Sequence, residues 1–173
     1  MFFRAKNMYI DLSELKNKKH GRKELNLEIC KEYFNDNGEI VKFLRPIKFN
    51  GSVRYVDGIF DLTGKAETEV LLACSRCNDS FSKSISIDIK EKLSDTINND
   101  DAEIILIDID KLNLYQIIEN SLVLELPVKR LCSESCKGLC QQCGTNLNSS
   151  ECKCNNEDID PRLAKLKELF SNS

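Results

Sequence analysis

The chain has 173 residues, 41% of them apolar and 31% charged. That suits one domain with an appendage and enough core to fold without covalent staples. A net charge of −3 excludes a uniformly basic nucleic-acid coat, and no run approaches the ~18 apolar residues of a membrane-spanning helix.

The start, "MFFRAKNMYIDLSELKNKK", lacks the basic-then-apolar pattern of a signal peptide, so the expected location is cytoplasmic, where thiols stay reduced. A disulfide framework is therefore not expected, and nine cysteines cannot all pair. Charge is spread unevenly. Residues 1–48 hold 11 Lys/Arg against 7 Asp/Glu, residues 49–128 hold 7 against 15, and residues 129–173 hold 7 against 6.

In chain order, "MYIDLSEL" reads as a short strand with Ile10 and Leu12 on one face. The basic stretch "KNKKHGRK" follows. "KELNLEICKEYF" alternates, so Leu25, Leu27 and Ile29 share the buried face of a strand. Cys30 falls opposite and reads as a structural thiol. Gly51, Gly58 and Gly64, among Val, Ile, Tyr and Phe, read as turns between consecutive strands. "AETEVLLAC" and "SFSKSISIDIKEKL" are strands, with Ile85, Ile87 and Ile89 facing inward. The motif "CSRC" then sits on the antiparallel turn between them.

"SDTINNDD" is a polar loop and "EIILIDI" a strand. Leu114, Ile117, Ile118 and Leu122 have helical spacing, with Asn113 as N-cap and Pro127 as the stop. A last helix starts at Asp160–Pro161 and carries Leu163, Leu166 and Phe170 on one stripe. Together these predict an α+β fold: a mostly antiparallel β-sheet or partly open barrel with two helices and a C-terminal cysteine-rich zinc module. The division expected is a strand-rich body over 1–128 and, over 129–173, the module and terminal helix docked on that body.

Besides Cys30, eight cysteines form two sets of four, and four thiolates are the donor set of a closed structural zinc site. "CQQCGTNLNSSECKC" offers a C-x2-C and a C-x-C turn eight residues apart, so Cys140, Cys143, Cys152 and Cys154 are grouped as one site. Gly144, just past the second cysteine, suits a knuckle residue with positive φ. Cys74, Cys77, Cys132 and Cys136 then form the other site, bridging more than fifty residues. The alternative joins Cys132, Cys136, Cys140 and Cys143, and leaves Cys74, Cys77, Cys152 and Cys154. It needs a very sharp reversal over three residues that reach about 10 Å, so the first grouping is favoured.

"CKGLCQQC" also matches the C-x3-C-x2-C of radical S-adenosylmethionine enzymes, but those need a large α/β barrel. A thioredoxin-like role for "CSRC" lacks its helix and βαβ context. Two closed sites leave no open metal position, and no nucleotide-loop or nucleophile motif is present, so no enzyme and no small-molecule substrate are expected. His20 reads as a solvated loop residue, and the pairs Asp100–Asp101 and Asp108–Asp110 as loop charges. Lys16, Lys18, Lys19, Arg22 and Lys23 form a candidate phosphate-contacting arm. Lys129, Arg130, Lys137 and Lys153 decorate the cysteine module and can add to that surface.

The segments "LELP", "CKGLCQQCGTNLN", "CKC" and "DPRLAKL", with "CSRC" between two strands, closely resemble the YceD family of large ribosomal RNA subunit accumulation proteins. The resemblance is strong over the C-terminal third, moderate in the middle and faint over the first fifty residues. It implies a non-catalytic ribosome biogenesis factor that supports accumulation of the large-subunit (23S) rRNA. Its expected partner is precursor large-subunit rRNA or a large-subunit ribosomal protein. The alternative is a protein-only adaptor that holds a basic ribosomal protein. Some family members keep the sheet-turn pair and lack most later cysteines, which implies one common site (Cys74, Cys77, Cys132, Cys136) and one optional local site.

Overall fold

The computed structural model describes residues 3–4, 9–16, 21–96 and 104–154. The chain divides into two compact units, one of Met1–Ala73 with Ser80–Arg130 and one of Cys74–Asp79 with Leu131–Ser173. The terminal helix expected from Asp160 lies outside the described residues.

The first unit is a mostly antiparallel, open sheet. Its strands in chain order are β1 (Phe3–Arg4), β3 (Arg22–Ile29), β4 (Tyr33–Asp36), β5 (Glu39–Phe43), β6 (Ile47–Val56), β7 (Ile59–Ala73), β8 (Ser80–Ser94) and β9 (Ile104–Leu106). A separate two-residue pair joins β2 (Tyr9–Ile10) to β10 (Leu112–Asn113). The main order runs β1-β3-β6-β7-β5-β4, and β8 flanks the other edge of β7. The long β7 thus pairs with β6 over its first part and with β5 near its end. Among the described residues only β1 with β3 and β8 with β9 run parallel.

Alternation builds the core. Along β7, Phe60, Leu62, Ala66, Val70 and Leu72 are buried, and β8 adds Ile85, Ile87, Ile89 and Leu93. Leu25 and Ile29 are buried on β3, with Leu27 partly buried on the same face. The helix α2 (Leu114–Glu125) buries Leu114, Ile117, Ile118 and Leu122, a spacing that makes one apolar stripe. Its start is capped by Asn113, whose Oδ1 accepts from the Gln116 N–H at 3.4 Å. It ends at Leu126, which is extended (φ −62°, ψ 134°) because Pro127 disfavours helical backbone before it.

Three expectations change. Gly58 does turn, with Asp57 (φ 50°) and Gly58 (φ 89°) closing the β6–β7 hairpin. Gly51 and Gly64, however, are mid-strand partners across that hairpin. The Phe49 ring lies over both. A Cβ on Gly64 would come within 2.5 Å of its Cζ, and one on Gly51 within 2.5 Å of the Thr63 carbonyl oxygen. These glycines make room for a buried ring and do not reverse the chain. Second, the described part of "MYIDLSEL" is a strand over Tyr9–Ile10 and then a helical turn, α1 (Ser13–Lys16). Asp11 Oδ1 accepts from the Ser13 N–H at 2.8 Å, which offers the backbone a turn in place of a ladder. Third, the described part of "EIILIDI" is a strand over Ile104–Leu106, and the chain leaves the strand after it. Asp108 then caps a short 3-10 turn, accepting from the Asp110 N–H at 3.1 Å.

Candidate metal centres

Both candidate centres lie in the second unit. The turn after β7 brings Cys74 and Cys77 together with Cys132 and Cys136, and all four sulfurs lie within 4.8 Å of one another. Cys74 Sγ is 3.8 Å from Cys136 Sγ, and Cys77 Sγ is 3.7 Å from Cys132 Sγ. Cys140, Cys143, Cys152 and Cys154 make a second quartet with the same 4.8 Å limit. A tetrahedron of metal–sulfur bonds near 2.3 Å has edges of about 3.8 Å. A disulfide needs about 2.05 Å, and all nine cysteines are free thiols. The donor set and spacing therefore fit a tetrahedral metal. The quartets are those of the first grouping considered above; the alternative pairing is not what the fold assembles.

The two C-x2-C turns are built alike. In the first, the Asn78 N–H donates to the Cys74 carbonyl and the Cys74 N–H to the Asp79 carbonyl, both at 2.9 Å. In the second, the Gly144 N–H donates to the Cys140 carbonyl at 2.9 Å and the Cys140 N–H to the Thr145 carbonyl at 2.8 Å. The residue after the second cysteine is left-handed in both, Asn78 at φ 61° and Gly144 at φ 73°. That bend requires glycine or a small amide residue, and it aims two sulfurs at one point.

These turns also tune the thiols. Backbone N–H groups of Cys132 and then Cys77 hold Cys74 at about 6, below the usual thiol value. The Thr145 hydroxyl and then its N–H hold Cys143 at about 6. Cys154 is pushed up to about 12, first by the neighbouring Cys143 thiol and then by burial. Burial, followed by Cys136, raises Cys132. A divalent cation would favour thiolates at all four sulfurs of each quartet.

Sequence reasoning missed the residues around the sulfurs. Arg76 Nη1 donates to the Cys136 carbonyl at 2.8 Å and to the Glu134 carbonyl at 3.2 Å, tying the halves of the first centre. Asn148 Nδ2 donates to Cys136 Sγ at 3.3 Å. Asn146 Nδ2 donates to Asp79 Oδ2 at 2.7 Å. The signal was the polar run "GTNLN" between cysteine pairs, but a polar loop looks the same whether it faces water or sulfur.

Of the proposed phosphate-contacting arm, Lys18 and Lys19 lie outside the described residues, as does His20. Lys16 Nζ is 2.5 Å from Asp95 Oδ2, and Arg22 Nε is 2.7 Å from Glu24 Oε1. Lys23 Nζ donates to the Asp11 carbonyl at 2.8 Å. Lys129, Lys137 and Lys153 are exposed. Arg130 is not free to decorate the module. It pairs with Asp36 and Glu39 of β4 and β5, with only 14% of its side chain exposed. Cys30 is exposed, so it packs in no core and belongs to neither quartet.

An open antiparallel sheet joined to a unit of two four-thiol quartets defines a small cysteine-knuckle protein. Residues 62–170 match the family model described as large ribosomal RNA subunit accumulation protein YceD, and the chain belongs to that family. The uncharacterized protein Rv2926c of Mycobacterium tuberculosis is 32% identical over 115 residues, 63% of this chain and 55% of that one. The chloroplastic large ribosomal RNA subunit accumulation protein YCED homolog 1 of Arabidopsis thaliana is 28% identical over 139 residues, 62% of this chain and 43% of that one. The uncharacterized protein YlbN of Bacillus subtilis is 28% identical over 137 residues, covering 75% of this chain and 77% of that one. The chain thus spans about half the length of the first two relatives. No solved structure matches it significantly. Among the described residues no helix is long and apolar enough to cross a membrane.

Proposed function

We propose that this chain is a zinc-stabilised, non-catalytic factor of ribosome biogenesis that supports accumulation of the large-subunit (23S) rRNA. It acts in the cytoplasm by binding precursor rRNA or a large-subunit ribosomal protein. Family membership supports the ribosomal part. The observation that carries the zinc part is the pair of four-sulfur quartets with edges near 3.7 and 3.8 Å in the first. Four protein donors per ion close the coordination shell, which suits a structural site rather than a catalytic one. Cys74, Cys77, Cys132 and Cys136 would hold one Zn2+, and Cys140, Cys143, Cys152 and Cys154 the other. Zinc binding here is folding energy, because neither quartet exists in the unfolded chain.

The protein-only adaptor reading is favoured by one observation: Lys16, Arg22 and Arg130 already have acidic partners. Affinity capture of the tagged chain, with and without ribonuclease, separates the two. Capture of large-subunit precursor rRNA that is weakened when Lys18, Lys19, Arg22 and Lys23 become Glu supports direct RNA contact. A ribosomal protein retained after ribonuclease supports the adaptor. Capture of neither rRNA nor a ribosomal protein overturns both.

A further inference from the structure

We propose that the two metal centres load cooperatively, with Asn148 as the residue that couples them. The inference rests on the metal reading above. The loop from Gly144 to Glu151 is anchored at both ends by ligands of the second centre, Cys143 and Cys152. Its middle reaches the first centre. Asn148 Nδ2 donates to Cys136 Sγ at 3.3 Å and to Asn146 Oδ1 at 2.9 Å. Asn146 Nδ2 in turn donates to Asp79 Oδ2, just past the Cys74–Cys77 turn. The Leu147 N–H donates to the Gly138 carbonyl at 2.9 Å, and the Leu139 N–H to the Arg76 carbonyl at 3.1 Å.

The orientation of Asn148 is fixed from the other side. Its Oδ1 accepts from the Lys137 backbone N–H at 2.8 Å. A backbone N–H is only a donor, so the amide nitrogen must face the sulfur. An N–H aimed at a metal-bound thiolate softens its charge and holds the ligand in place, and loss of such a partner typically costs about 10–100-fold in metal affinity. Metal at the second centre holds the ends of the loop and hence keeps Asn148 on Cys136. By linkage, metal at the first centre favours the second by the same factor.

Native mass spectrometry of the full chain with one equivalent of Zn2+ tests this. It counts chains with no, one and two ions. For independent sites, equal or unequal, the product of the empty and doubly loaded populations over the square of the singly loaded one has a ceiling of about one quarter, since any excess is coupling. The wild type is expected well above that ceiling. Asn148→Ala keeps all eight thiols and should still bind two ions, with the ratio falling about tenfold or more. Asn148→Asp keeps the acceptor for the Lys137 N–H but puts a carboxylate against the thiolate. It should lose the coupling as fully as Asn148→Ala.

A wild-type ratio at or below the ceiling overturns a coupling strong enough to outweigh the inequality of the two sites, while leaving the metal sites standing. A wild-type ratio retained by Asn148→Asp overturns the role of the N–H···S contact, because a merely structural acceptor would behave that way. A chain that binds no zinc overturns the metal reading, and the coupling with it.

Discussion

At the residue scale, the sulfurs of the two C-x2-C turns are placed by a backbone bend. Cys132→Ser removes one corner of the first quartet, so metal content by elemental analysis should fall from two ions per chain to one. Gly144→Ala forces a Cβ into a left-handed position (φ 73°) with no atom within 4 Å to clash. The cost is conformational alone, about 1 kcal/mol in the midpoint of chemical denaturation. Asn78, in the equivalent bend, should tolerate glycine with little change. The cysteine spacing was readable because short C-x2-C and C-x-C turns, in two sets of four, offer the donor set of a tetrahedral metal site. The amides of Asn146 and Asn148 were not, since hydrogen bonding to sulfur leaves no mark in composition.

At the element scale, the sheet is held by alternation and the helix by its cap. Asn113→Ala removes an N-cap acceptor and should cost about 1 kcal/mol. Gly64→Ala drives a methyl into Phe49 and should cost about 1–3 kcal/mol of overpacking. Both are read from unfolding midpoints. If Gly64→Ala proves neutral, the close approach of ring and strand is not the reason for glycine there. Strands β3 and β8 and helix α2 were legible from period alone, whereas β7 was read as broken at Gly64. The glycines misled, because a strand glycine under a ring and a turn glycine share the same β-rich neighbours. Only the register that sets Gly51 opposite Gly64 separates them.

At the scale of the whole molecule, acid and the proposed zinc would act through the same thiols. Cys74 and Cys143 have depressed values near 6. What they contribute is fully present above the usual thiol value and is lost as pH falls through about 6. Protons compete with metal in the same direction. Zinc release to a chromophoric chelator should therefore rise as pH falls from about 7 through 6 to 5, with thermal stability falling alongside. Release that is flat across that range counts against thiolate ligands. The sequence by itself determined the strand-rich body, the helix with its cap, and a set of eight cysteines in short turns, because those follow from local period and spacing. Only the tertiary structure decided which thiols meet, since Cys74 and Cys132 are 58 residues apart in the chain and no local rule brings them together. It also decided that Arg130 pairs inside its own unit and that Asn148 faces a sulfur. A side chain's partner depends on where the chain returns, and that is a property of the folded whole.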